Sequence, residues 1–245
     1  LSRPELSVVL PCYNEEKNLS LILESYVTAA PNGLFWELLL VDNGSTDNSA
    51  RVLTDLLARP AYAFARVVSV EVNQGYGFGM TCGLKAARGE VLAFSHADMQ
   101  CDPASVFGAY AAWKSAGGGK VLVKGRRQGR PWRQKVLTLG MSALATLWLW
   151  RRLSDINAQP KLFPASLLER LTRAPKGFEF DVYVLERALA CGYRLVTIPV
   201  FFGERAHGQS KWASTFFSRW KTILRVAFYI MKLRFSFEQN HGRNA

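Results

Sequence analysis

Short unbroken apolar runs alternate, through the first hundred positions, with apolar residues spaced at helical intervals. Residues 6–10 form such a run, ended by Pro11, and Leu19, Ile22, Leu23 and Tyr26 then recur on one helical face. The spacing predicts a strand and then a helix, with Asn14 as N-cap and Glu15 and Glu16 in the first turn. The plan repeats. Residues 38–41 read as a strand, 42–47 as a turn and 49–58 as a helix with Val52, Leu53, Leu56 and Leu57 on its apolar face. Residues 67–72 predict a third strand, whose glycine-containing loop 73–79 leads into a helix reaching Lys85 to Arg88, and residues 91–94 predict a fourth strand. Strands alternating with helices predict an α/β fold with a mostly parallel sheet, its ligands lying beyond the carboxyl ends of the strands. Every polar cluster in this half of the chain lies at such an end.

The second half is less regular. Residues 106–113 predict a helix, Gly117 to Gly119 a break, and 120–124 a strand that feeds a basic stretch, Arg126, Arg127, Arg130 and Arg133. The fifteen uncharged residues 136–150 are too few to span a bilayer, which takes roughly 20. They read either as a buried helix or, given the tryptophans and Arg151-Arg152 at the end, as a helix at headgroup depth. Residues 155–163 form an irregular polar segment, 177–181 lead into a helix ending near Leu189, and 195–200 predict a last strand, followed by the basic loop 205–211. Along residues 213–233, Ser218, Lys221, Arg225 and Lys232 share one side of a helix and Phe216, Trp220, Ile223 and Phe228 the other, a pattern that fits a membrane surface or core packing alike.

Charge sharpens the picture. The 245 residues carry a formal net charge of +12, and residues 114–135 hold eight Lys or Arg with no Asp or Glu. An anionic partner is expected, of the kind of a nucleotide, a phosphorylated substrate or lipid headgroups. Nucleic acid is not, because aromatic residues are not interleaved with the cations as on a base-stacking platform. Cys12, Cys82, Cys101 and Cys191 lie far apart without metal-ligand spacing, which implies free thiols in a reducing compartment, and no signal peptide is visible. The fourth strand delivers His96, Asp98 and Gln100 at alternating positions, so an extended chain would turn all three to one side. Carboxylate, imidazole and amide oxygen suit Mn²⁺ or Mg²⁺, although polar residues in a turn before Asp102-Pro103 would read the same way. Gly75, Gly77 and Gly79 follow the third strand rather than the first, which argues against a dinucleotide fingerprint and for close helix packing.

Five segments, V-V-L-P-C-Y-N-E-E from Val8, V-D-N-G-S-T-D from Val41, N-Q-G-Y-G-F-G from Asn73, H-A-D-M-Q from His96 and R-A-H-G-Q-S-K from Arg205, together resemble the family 2 glycosyltransferases of GT-A fold. The branch they are most similar to is that of dolichyl-phosphate mannose synthase and bacterial polyprenyl-phosphate glycosyltransferases. The resemblance implies a Rossmann-like, mostly parallel central sheet flanked by helices, with a catalytic domain over residues 1–212 and amphipathic membrane-interface helices, including 213–245. It implies transfer of a sugar from a nucleotide-sugar donor to a polyprenyl phosphate at the cytoplasmic face of a membrane, aided by a divalent metal, Mn²⁺ or Mg²⁺. By position it assigns Pro11, Tyr13, Glu15, Val41, Asp42, Asn43 and Ala97 to the nucleotide sugar and His96, Asp98 and Gln100 to the metal. Arg126, Arg205 and Lys211 fall to the donor diphosphate, and Arg126, Arg133, Ser210 and Lys211 to the acceptor phosphate. Asp98, Arg126 and Asp181 are the expected catalytic residues. His96 stands where the family usually has the first Asp of a D-x-D motif, which lowers the site's negative charge and favours Mn²⁺ or weaker metal binding. A hydroxyl acceptor would instead need a general base, for which Asp181 is the candidate.

Overall fold

The computed structural model describes residues 2–128, 155–203, 225, 226, 228 and 229. Seven strands form one sheet among them: β1 Leu6–Cys12, β2 Trp36–Asn43, β3 Ala65–Val70, β4 Val91–Phe94, β5 Val121–Gln128, β6 Lys161–Pro164 and β7 Arg194–Phe201. Their spatial order is β3-β2-β1-β4-β6-β5-β7, and β6 runs antiparallel to both neighbours while the other pairs are parallel. The helices are α1 Leu19–Ala29, α2 Ser49–Leu57, α3 Tyr76–Ala86, α4 Ala104–Ser115 and α5 Phe180–Ala190. The chain winds outward from β1 to β3 and returns to β4 on the other side of β1. The reversal opens a crevice at the carboxyl ends of β1 and β4, where a doubly wound sheet binds its ligands.

Both faces of β1 and β2 are covered, which is why these strands read as unbroken apolar runs. Leu6, Val8, Leu10, Leu38 and Leu40 pack in one cluster with Leu19, Ile22, Leu23 and Tyr26 of α1 and Val106, Phe107 and Tyr110 of α4. Val9 and Val41 turn to the opposite face, against α3 at Gly83. Each such side chain contributes roughly 1.5–3 kcal/mol by leaving water.

Four predictions need correction. Strand β1 does not end before Pro11 but passes through it to Cys12. The Val9 carbonyl accepts from Ser95 on the β4 side, and Pro11 faces that same side one pleat beyond the last β4 pair, where its missing N–H breaks no ladder bond. Helix α1 begins at Leu19 with Asn18 as its cap, and Asn14 instead has φ 56°. The strand predicted at 120–124 runs on to Gln128 as β5 and so carries Arg126 and Arg127. Residues 161–164, read as irregular, form β6.

The chain divides into two compact units, Leu1–Gln128 with Ala158–Gly208, and Gly129–Asn157 with Gln209–Ala245. The first contains the whole sheet. In the second, Ile156 and Val226 are buried, and Phe228 is 67% exposed. Residues 225, 226, 228 and 229 are helical. The remainder of the amphipathic segment 213–233, and all of 136–150, lie outside the described residues. No helix among the described residues is long and apolar enough to cross a membrane.

Candidate active site

Five groups of residues meet at the carboxyl edge of the sheet. The loop after β1 carries Tyr13 and Glu15, half-buried like Pro11 before them, and the end of β2 supplies Asp42 and Asn43, both buried. These two segments are tied to each other by side chains. Asn14 accepts from the Thr46 N–H at 2.8 Å through Oδ1, its own N–H donates to Ser45 Oγ at 3.1 Å, and the Glu15 N–H donates to Ser49 Oγ at 3.0 Å. Glu16 returns the contact by accepting from the Asn48 N–H at 3.0 Å. Asn14 is therefore a cross-loop tie and not a helix cap. Asp42 accepts from the Ser45 N–H at 3.0 Å, which shapes the turn. The Val41 side chain is fully buried against α3, so what it offers a ligand is backbone.

The glycine loop serves packing. The N–H groups of Gly77 and Phe78 both donate to the Lys176 carbonyl, at 2.8 and 3.3 Å, so the amino end of α3 is capped by protein and makes no phosphate cradle. A Cβ on Gly77 would lie 2.2 Å from the Pro175 carbonyl oxygen. Gly79 faces Asn43, whose Nδ2 donates to the Gly75 carbonyl at 3.2 Å.

Beyond β4 the chain does not stay extended, as the alternating pattern of His96, Asp98 and Gln100 assumed. It bends over residues 97–100, with φ 60° at Met99. Ala97 and Asp98 are buried, and Asp98 Oδ1 accepts from the Gln100 N–H at 3.1 Å. Gln100 donates through Nε2 to the Gly203 carbonyl at 3.1 Å, and the Gly203 N–H donates back to the Gln100 carbonyl at 2.9 Å. The loop is thereby fastened to the exit of β7. Burial pushes the His96 imidazole below its ordinary range, and Lys161 and Arg127 push the same way against Asp98 and Asp181. The shift favours the neutral ring, whose lone pair can meet a cation.

The donor chemistry fits a divalent metal in part. Asp98 offers the one carboxylate of the motif, His96 a neutral nitrogen, and Gln100 its carbonyl oxygen, since its nitrogen is committed to Gly203. Among the described residues no three His, Cys, Asp or Glu side chains gather as a self-sufficient metal cluster. The remaining ligands would be substrate oxygens.

On β5, successive side chains turn to opposite faces. Arg126 is exposed, whereas the Arg127 guanidinium lies 5.5 Å from the centre of the Phe202 ring, which in turn packs edge-on to His96 at 6.1 Å. Arg127 was not singled out from sequence, though it stands beside a residue that was. Asp181, in the first turn of α5, is 4% exposed and ion-paired with Lys161, itself wholly buried. Gln159 and Tyr76 complete this cluster, and none of these three partners was expected from sequence. Arg133, Arg205, Ser210 and Lys211 lie outside the described residues.

A mostly parallel sheet with its polar loops gathered at this edge is a doubly wound, ligand-binding architecture, the arrangement a GT-A glycosyltransferase fold requires. The comparisons agree: the glycosyl transferase family 2 model matches residues 7–170. The chain belongs to that family. An undecaprenyl-phosphate 4-deoxy-4-formamido-L-arabinose transferase from Edwardsiella ictaluri is 29% identical over 212 residues, 84% of this chain and 62% of the relative. Its namesake from Proteus mirabilis is 27% identical over 85% of this chain and 63% of its own length. The chain thus spans about 62% of the length of these curated relatives. Among solved structures, glucosyl-3-phosphoglycerate synthase from Mycobacterium tuberculosis, in complex with Mn²⁺, UDP and phosphoglyceric acid, superposes with a TM-score of 0.67 at 23% identity, covering 94% of this chain and 78% of that one. A mannosyltransferase from Pyrobaculum calidifontis, in complex with GDP-Man and Mn²⁺, gives a TM-score of 0.63 at 21% identity over 86% and 60%. At these identities the likeness establishes the fold.

Proposed function

We propose that this chain is the catalytic part of an inverting glycosyltransferase that moves a sugar from a nucleoside-diphosphate donor to a polyprenyl phosphate at the cytoplasmic face of a membrane. The observation that carries the choice of acceptor is the state of Asp181. The oxygen Oδ1 of the one candidate general base is already engaged by the Lys161 ammonium, with the Gln159 amide at 3.5 Å. Taking a proton there would displace a buried cation from its counter-charge, which suits Asp181 poorly to activating a hydroxyl. A phosphate monoester oxygen is anionic near neutral pH and needs no such base. The names of the curated relatives support the same acceptor class.

In this reading the loops after β1 and β2 hold the nucleotide through Tyr13, Glu15, Asp42 and Asn43. The acceptor phosphate oxygen attacks the anomeric carbon from the face opposite the leaving group and forms the new C–O bond. The bond to the nucleoside diphosphate breaks with its electron pair passing to the β-phosphate oxygen, and the anomeric centre inverts. A divalent cation, when bound by Asp98 with His96 and Gln100, would neutralise charge on the departing diphosphate. Arg127 and Arg126 supply positive charge for the phosphate-bearing substrates, and the family resemblance is what assigns Arg133, Arg205, Ser210 and Lys211 to the same phosphates.

The test is transfer from a panel of UDP- and GDP-sugars to undecaprenyl phosphate and, separately, to undecaprenol, followed by product chromatography. Product on the phosphate alone is expected. Product on the alcohol alone, or on neither, overturns the assignment.

A further inference from the structure

Lys161 is the first residue of the one antiparallel strand, in register with Phe94 at the end of β4 and with Lys124 of β5. Its position places an ammonium group under the loop that carries His96 and Asp98, with no solvent exposure. The ammonium donates to the Ala158 carbonyl at 3.2 Å, pairs with Asp181 and lies 5.4 Å from the centre of the Phe94 ring. Gln159 Nε2 reaches the same Asp181 oxygen, Oδ1, at 3.5 Å and also donates to Tyr76 Oη at 2.5 Å. Tyr76 in turn stacks on Phe178, with ring centres 5.4 Å apart. Gln159 Oε1 is buried and has no hydrogen-bond partner among the described residues. The cluster thus ties one oxygen of a carboxylate to two donors at the carboxyl edge of the sheet, with that unpaired acceptor atom, Gln159 Oε1, beside it.

A purely structural pair would not need to be ionic, since buried ion pairs are often replaced by apolar residues without loss of stability. A carboxylate with one oxygen anchored on a buried cation is, by contrast, a good acceptor for sugar hydroxyls, because part of its orientation cost is met before the ligand arrives. We propose that Lys161 is a positioning residue that fixes Asp181 as the acceptor for hydroxyls of the donor sugar, with Gln159 as the second arm of that subsite. The inference rests on the proposed nucleotide-sugar reading and concerns the sugar half of the donor only. The nucleotide half is held by the β1 and β2 loops and is independent of it.

Calorimetric titration with UDP-glucose against UDP, and GDP-mannose against GDP, in Mn²⁺ separates the two halves. Lys161→Met should weaken binding of the sugar nucleotide about tenfold, the order of one ionic hydrogen bond, while nucleoside diphosphate affinity changes less than about twofold. A folded Lys161→Met protein that binds both as the wild type does, or loses both equally, overturns the proposal. If the single variant does not fold, Lys161→Met/Asp181→Asn removes both charges together and keeps the question open to measurement. Its sugar-nucleotide affinity should fall about tenfold below wild type with nucleoside diphosphate affinity within about twofold, and should equal that of Lys161→Gln/Asp181→Asn, because a residue acting through another adds nothing once that other is gone. Wild-type affinity in the double variant, or a difference in affinity between the two double variants, overturns it. Failure of the acceptor assay would defeat the polyprenyl phosphate reading and leave this result standing. A wild-type protein that binds none of these sugar nucleotides would defeat both.

Discussion

Gly79→Ala tests whether α3 holds Asn43 in place. A Cβ at this position would lie 2.8 Å from Asn43 Cγ and 3.0 Å from both amide heavy atoms. Ordinary contact begins near 3.4 Å, so either the buried Asn43 side chain yields by roughly half an ångström or more, or α3 lifts from the sheet. Overpacking of this kind costs about 1–3 kcal/mol. Loss of the Asn43 to Gly75 hydrogen bond adds about 1 kcal/mol, and alanine in a helix returns up to about 1 kcal/mol. Gly108→Ala is the control, since Gly108 is exposed within α4 and a Cβ there meets nothing within 4 Å. It receives the same propensity gain without the clash and should stabilise by about 0.5–1 kcal/mol. The propensity cancels in the comparison, leaving a gap of about 2–4 kcal/mol, or roughly 4–16 °C in Tm for a chain of this size. If Asn43 contacts the nucleotide, UDP or GDP affinity should also fall by about tenfold in Gly79→Ala and not in Gly108→Ala. Scanning calorimetry and titration measure both. Equal melting of the two variants, with unchanged nucleotide affinity, would refute the idea that α3 seats Asn43.

Asp98→Ala should lower transfer by on the order of a hundredfold or more at saturating Mn²⁺, because it removes the one carboxylate of the metal motif; full turnover in chelator would contradict this. Burial alone would raise the Glu37 carboxyl, but hydrogen bonds from the Ser7 hydroxyl, the Arg88 N–H and the Arg66 guanidinium outweigh it and hold the group below the usual carboxylate range. A carboxyl depressed in the folded state gives stability that is complete above its unfolded value of about 4.3 and is lost as pH falls through the folded one. Glu37→Gln should therefore lower the urea midpoint at pH 7 and flatten its decline below about pH 4.5, with transfer activity unchanged, since Glu37 lies at the opposite end of β2 from the site. An unchanged acid slope would show that the carboxyl is not depressed.

Much of the fold was legible because the first four strands and their helices are local units. The fourth strand was predicted at its observed bounds, and α2 and α5 to within a residue or two at their ends. What the sequence hid depends on partners distant in the chain. Residues 161–164 are too short to show a period, begin with Lys and end with Pro, and become a strand because β4 and β5 leave a gap of one strand's width between them. Asn14 has the composition of a cap, but Ser45, Thr46 and Ser49 claim it and its neighbours across more than 30 positions. Arg126 was assigned by its place in the resemblance, and Arg127 went unnoticed because nothing in a run of cations tells which face of a strand each occupies until the strand's end is known.

Lys161 shows the deeper reason. A lysine in a Q-P-K-L-F context looks like a surface residue, and its complete burial follows only from Asp181, twenty positions on, arriving at the amino end of α5. Placing an unpaired ammonium in the interior would cost several kcal/mol, and the helix end alone favours the carboxylate by less than about 1. Neither residue is stable where it is without the other. The antiparallel strand and the helix are therefore coupled through one ion pair, and if Asp181 receives the sugar as proposed, any change in recognition that moves it must also be met by β6. Selection for a different donor sugar should act on Lys161, Gln159 and Asp181 together, while the nucleotide loops of β1 and β2, tied to each other by Asn14 and Glu16, can stay as they are.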